Sequence, residues 1–308
     1  MMRPLATIGG CLLLLAAEVA GHHGPEEVVA ELTAQLEMDP ENVELLSRRA
    51  TEYRALGMHA QAEADLRLVL GKHPQSIADT ESLARVLWAR GKCPEAMDMI
   101  QRAVELAQPG RERAAGWILK SEWELEQGRT DAALAACRNA FQEDPEGMVD
   151  WYLLRSRIEE RLGRPADRLA GLKAGHEALK SIVLRNAWVD AALDAGHLDE
   201  AAPVIETELA KSRLKSSWWI RRARLRLGAG DPDGGTQDLK AAVVELDRRI
   251  HLQRPDAKLL VDRAQARALL GDLDAARDDL ALAREHGADP WEVGRLANRI
   301  REEAKPTP

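Results

Sequence analysis

The side chains best suited to chemistry stand near the start of the sequence, where His22 and His23 follow a short apolar run. Cleavage after Ala20 would leave Gly21-His22-His23, whose terminal amine, backbone amides and third imidazole can surround Cu2+ or Ni2+ in a square plane; cleavage after Gly21 would leave an amine beside an imidazole. Weak copper binding by His22 and His23 is the metal chemistry this permits, and a soluble histidine spacer is the plainer alternative. Catalytic patterns are missing: there is no H-E-x-x-H, no glycine-rich phosphate loop running into Lys-Ser/Thr and no G-x-S-x-G. Gly228 to Gly235 mixes glycines with Asp231 and Asp233, yet it has neither the preceding strand of a dinucleotide site nor the closing Glu of a calcium loop. It reads as a polar turn. The chain is therefore not expected to be an enzyme, nor to hold a cofactor beyond weak copper.

Residues 1–21 read as a secretory signal. Arg3 supplies the positive charge, Leu5 to Ala17 an apolar core, and Val19-Ala20-Gly21 the small residues of a cleavage site, with cleavage after Gly21 preferred. Glu18 ends the apolar run short of a membrane span. Cys11 lies within that run instead of following it, which argues against a lipid anchor. A secreted or periplasmic protein is predicted. Cys93 and Cys137 remain after cleavage, too few for a disulfide scaffold, and both are expected to be unpaired. The net charge of −8 makes nucleic acid a poor partner, because an acidic surface repels phosphate. Trp218-Trp219 beside Arg221, Arg222 and Arg226 is locally basic and aromatic, but its apolar face is interrupted, so membrane contact is not expected of it.

The elements that must position these groups are helices. Residues 117–145 show the pattern most clearly: Trp117 opens an amphipathic run, Gly128 punctuates it, Ala133, Cys137 and Ala140 share one face of a second run, and Pro145 closes it. Glycines recur at 57, 91, 128, 163, 196, 230 and 271, at intervals of 34, 37, 35, 33, 34 and 41. Tight turns after a helix favour glycine, since they need a left-handed residue. Seven residues before these glycines stand Ala50, Ala84, Ser121, Ser156, Val189, Ala223 and Ala264, and five residues after them Ala62, Ala96, Ala133, Arg168, Ala201, Gly235 and Ala276. Four further on come Leu66, Ile100, Cys137, Leu172, Ile205, Leu239 and Leu280. Small residues at fixed offsets are what close helix pairs require.

These residues resemble the tetratricopeptide repeat (TPR), whose pattern is W-x2-L-G-x2-Y, then A-x3-F, then P, on a period of about 34 residues. The resemblance implies an all-α, TPR-like α-α superhelix, a helix-turn-helix solenoid covering 22–304. Its units would run approximately 43–76, 77–112, 114–147, 148–181, 182–215, 216–256 and 257–290. Capping helices at 25–38 and 291–303 would cover the open ends, ahead of a frayed tail at 305–308. Arg168 and Glu208 fit poorly where small residues belong, and Trp151 fits its slot only after a shift of one residue. The 41-residue interval predicts a second helix lengthened by about two turns, reaching Arg254. Trp117, Trp123, Trp188 and Trp291 are expected in the core.

In the proteins this sequence resembles, the first helices of successive units line a concave groove for an extended or helical segment of a partner. Carried onto these positions, the groove would display Arg48, Thr51, Arg54, Glu81, Arg85, Trp88, Ile118, Glu122, Arg157, Asn186, Asp190, Arg221 and Arg224. Arginines offer bidentate carboxylate recognition and Trp offers contact area, so an acidic or amphipathic segment is the expected client. The alternative for each arginine is simple pairing with a carboxylate of the same chain. The Lys and Asn pattern that clamps a C-terminal carboxylate is absent. The expected function is a non-enzymatic protein-binding scaffold. Its alternatives are a metal-handling accessory using the N-terminal histidines and a structural subunit that positions a partner enzyme.

Overall fold

The computed structural model describes residues 24–251 and 253–303, which form sixteen α-helices and no strand among the described residues. Residues 1–23, with the signal segment and His22 and His23, and the tail at 305–308 lie outside them. Two compact units divide the chain between Gly116 and Trp117, within one helix. The first holds α1 (Pro25–Met38), α2 (Val43–Ala55), α3 (His59–Lys72), α4 (Ile77–Ala89), α5 (Cys93–Leu106) and the start of α6 (Arg111–Glu126). The rest of α6 and α7 (Thr130–Glu143) open the second unit, followed by α8 (Val149–Arg161), α9 (Pro165–Leu179), α10 (Ile182–Asp194) and α11 (Leu198–Lys211). It is completed by α12 (Ser216–Gly228), α13 (Pro232–Arg249), α14 (Ala257–Leu269), α15 (Leu273–Glu285) and α16 (Pro290–Glu303).

The helices come in antiparallel pairs, and the backbone says why. At each recurring glycine φ lies between 64° and 83°, the region where a side chain is strained. The residue after it then donates its N–H to a carbonyl five residues back, from Met58 to Tyr53 (2.7 Å), Lys92 to Leu87 (2.9 Å) and Arg129 to Glu124 (2.9 Å) through Asp272 to Arg267 (2.9 Å). That bond closes the first helix and turns the chain straight into the second. First helices start differently. Asn42, Ser76, Ser181 and Asp256 cap α2, α4, α10 and α14 by accepting from backbone N–H groups, for example Leu45 N to Asn42 Oδ1 at 3.1 Å.

The core is where the columns meet. Every residue of the seven-before and nine-after columns is buried, as is every five-after residue except Arg168. Cys137 is fully buried, which pushes its thiol up to about 12, and neither Cys93 nor Cys137 is in a disulfide among the described residues. Gly175 on α9 allows another close approach, because a Cβ there would lie 2.6 Å from the Tyr152 ring. Beside the apolar columns runs a polar one that the sequence pattern did not reveal. Arg49, Arg222 and Arg263 each stand eight residues before a glycine and bind a buried aspartate eight residues after it, Asp65, Asp238 and Asp279, through two N–H donors at 2.6–3.0 Å. These forks tie the two helices of a pair.

The long interval resolves differently from expectation. Helix α13 has 18 residues, against 14 in α3, α5 and α7, so it gains about one turn instead of two. Ile250 leaves helical geometry (φ −79°, ψ 112°) and buries its side chain instead of continuing the helix. Pro255 bars the helix from the expected end at Arg254, since proline disfavours helix in the residue before it.

Candidate partner-binding surfaces

In the first unit the expected groove residues fall on two neighbouring first helices. Arg48, Thr51 and Arg54, spaced three apart, share a face of α2, and Glu81, Arg85 and Trp88 lie on α4. The helices are linked where the Ser47 hydroxyl donates to Asp79 at 2.6 Å. Thr51 and Arg85 both stand six before their glycines, and Arg54 and Trp88 three before, so equivalent positions carry donors and an aromatic. Arg48 and Arg85 are exposed, Arg54 and Trp88 partly buried. None of the three arginines reaches a carboxylate at ion-pair distance among the described residues. Burial raises the Glu81 carboxyl pKa, against the opposing charge of Arg85. A cleft of about 350 Å3 opens at the start of these helices, lined by Val43, Ser47, Arg48, His73 and Asp79 among others.

The second unit treats its groove arginines in the opposite way. Arg221 forks onto Asp190 (3.1 and 2.7 Å) and Arg224 adds a bond to the same carboxylate at 2.9 Å while reaching Asp194 at 2.6 Å. Burial alone would raise the Asp190 pKa, but the charges of Arg221 and Arg224 and the Arg221 hydrogen bond hold it at about 2. Arg221 also lies over the Trp218 ring, 4.9 Å from its centroid. Arg157 pairs with Asp289. Asn186 is close by, its Oδ1 buried without a hydrogen-bond donor. Ile118 is buried, and Glu122 is exposed along a cleft of about 690 Å3 that it shares with Asp150, Arg157, Arg161 and Trp291.

Much of this face is occupied by the chain's own last helix. Val293, Leu296 and Ile300 bury one side of α16 in the core formed with α14 and α15. The other side presents Trp291, Arg295 and Arg299, spaced four apart. Trp291 lies under the Arg161 guanidinium, 4.7 Å from its centroid. Arg295 meets Asp194 at 3.2 Å and Glu160 at 3.7 Å, and Arg299 meets Asp194 at 3.9 Å. Lys258 joins Glu292 at 2.6 Å and Asp262 at 3.4 Å. Between α8, α10, α14 and α16 remains a cavity of about 390 Å3, with Leu153, Val183, Ala187 and Trp291 among its walls and the paired charges around them.

Sequence reasoning missed Glu160, Arg168, Asp194, Asp289, Arg295 and Arg299. One signal was available. Arg168, the misfit in a column of small residues, leaves the hairpin core and reaches Ser156 at 3.1 Å, Asp194 at 3.2 Å and Glu160 at 3.6 Å. Glu208, the second misfit, binds Arg185 at 2.8 Å. Trp117 and Trp291 correct the expectation of core residues, since both are only partly buried and Trp291 faces α8, whereas Trp123 and Trp188 are buried. Trp151 is buried too, edge-on to Phe141. Among the described residues no group of His, Cys, Asp and Glu is arranged to hold a metal, and no helix is long and apolar enough to cross a membrane.

The tetratricopeptide repeat family model matches residues 81–147 and 186–249, segments that each contain glycine-turned helix pairs described above. The chain carries TPR repeats. A TPR protein from Parabacteroides merdae ATCC 43184 shares its fold, with a TM-score of 0.58 and 18% identity over 84% of this chain and 98% of that one. Yeast Tom70 is similar at a TM-score of 0.53 and 15% identity, covering 90% of this chain and 59% of that one. At these identities the likeness concerns the fold. No curated protein sequence matches significantly. TPR proteins generally mediate protein–protein interactions and act as non-enzymatic scaffolds.

Proposed function

We propose that this TPR chain is a non-enzymatic scaffold of an exported compartment, secreted or periplasmic, that binds an extended or helical segment of a partner protein along the faces of its first helices. The observation that carries this reading is the row of Arg48, Arg54 and Arg85 with Trp88 on neighbouring first helices, where none of the three guanidinium groups forms an ion pair among the described residues. Bidentate donors and a broad aromatic ring suit a peptide with carboxylates and some apolar surface. Support for export comes from Arg3, the Leu5–Ala17 run and Val19-Ala20-Gly21.

Two measurements test the proposal. Mass spectrometry of the protein from its native host should find the chain starting at His22 or Gly21; a retained Met1 sinks export and the copper chemistry with it. The immobilised chain should capture a protein that Arg48→Ala with Arg85→Ala no longer retains. If the double variant captures the same proteins equally well, the first-helix faces do not bind the partner.

A further inference from the structure

The two units use the same groove positions in opposite ways. In the second unit Arg157, Arg221 and Arg224 are all neutralised by carboxylates of that unit, and α16 lies across Glu160, Arg161 and Asp194. That helix is held from both sides, by Val293, Leu296 and Ile300 in the core and by the Trp291, Arg295 and Arg299 stripe. A partner arriving there would find each strong cation already paired, and would need to break several bonds for every one it formed. In the first unit Arg48, Arg54 and Arg85 form no ion pair among the described residues.

We infer that α16 closes the first-helix face of the second unit to partners, and that the binding surface proper is the α2/α4 face of the first unit, which takes an extended acidic segment. This rests on the scaffold reading above and assigns it to one half of the chain. The occupant follows from charge complementarity. Arg48 and Arg85 are exposed, so two carboxylates of an extended segment can meet them without breaking an ion pair among the described residues. Trp88 supplies the apolar contact beside them. Attraction of this kind weakens with salt.

The test uses the full chain and a fluorescein-labelled oligoglutamate peptide that carries a photo-crosslinking residue, followed by anisotropy. Arg48→Glu with Arg85→Glu should weaken binding at least about tenfold, whereas Arg157→Gln should leave it within about twofold. Crosslinks mapped by mass spectrometry should fall in residues 43–89, a readout independent of whether any variant folds. Crosslinks on α8 or α10, or a loss of affinity in Arg157→Gln matching that of the double variant, overturn the assignment while leaving the scaffold reading intact. An absence of peptide binding overturns the acidic occupant; capture of a partner by the wild-type chain then shows that the scaffold reading survives it.

Discussion

Single residues here show how burial turns a charge into a structural commitment. Asp65 is 4% exposed, and among the described residues its carboxylate is bound by the Arg49 fork alone. Arg49→Ala should therefore destabilise the protein by about 2–4 kcal/mol, because it strands a buried charge. Adding Asp65→Ala should restore part of that loss in urea melts; a double variant no better than the single one would mean the pair is not the cause. Glu63 and Asp190 make the same point through pH. Burial would raise the Glu63 pKa, but bonds from Lys92, Arg67 and Arg90 lower it to about 2, and Asp190 is likewise held at about 2. A carboxyl depressed on folding contributes stability that is complete above its unfolded value, near 4, and lost as pH falls towards 2. Each is worth on the order of 1–2 kcal/mol once the solvent around the partly exposed cations is allowed for. Asp190→Asn should accordingly make the fall in stability between pH 5 and pH 2.5, read by circular dichroism, shallower than in wild type.

At the level of helix pairs, the repeat is a rule about side-chain volume. Ala133 is fully buried, and its carbonyl accepts from Ser121 Oγ at 2.8 Å across the pair. Ala133→Leu should cost about 1–3 kcal/mol by overpacking, whereas Ala132→Leu on the exposed side should be nearly silent in denaturant melts. Equal effects would mean that close helix approach does not govern this pair. The same rule explains why the fourth pair tolerates Arg168. Ser156 opposite is small and hydrogen-bonding, so the guanidinium passes over it towards Asp194 instead of being trapped in the pair. A misfit in one column thus became a link to the next repeat.

Across the second unit, α16 joins residues more than a hundred positions apart, such as Asp194 and Arg295. Its apolar side buries three large aliphatic side chains, each worth about 1.5–3 kcal/mol, so the helix is anchored by its core contacts and steered by its charges. Trp291→Ala with Arg295→Ala should speed hydrogen exchange in α16 and lower stability by about 1–2 kcal/mol, with the difference from wild type shrinking at high salt. Unchanged exchange would mean the stripe does not hold the helix.

The sequence by itself determined the helices, their pairing and the buried columns, because those depend on glycine at left-handed turns and small residues at a fixed period, both local rules. It also placed Arg85, Arg157 and Arg224 at equivalent positions, each six residues before its glycine. Which of these meet a carboxylate was decided only in three dimensions, by the return of α16 and by partners such as Asp190 and Asp289 on other elements. Ion pairing depends on distances of a few ångströms between residues far apart in the chain, and no period in the sequence records them. For the same physical reason Arg168 looked like an error in its column, when its charge was serving an acidic residue on a neighbouring helix pair.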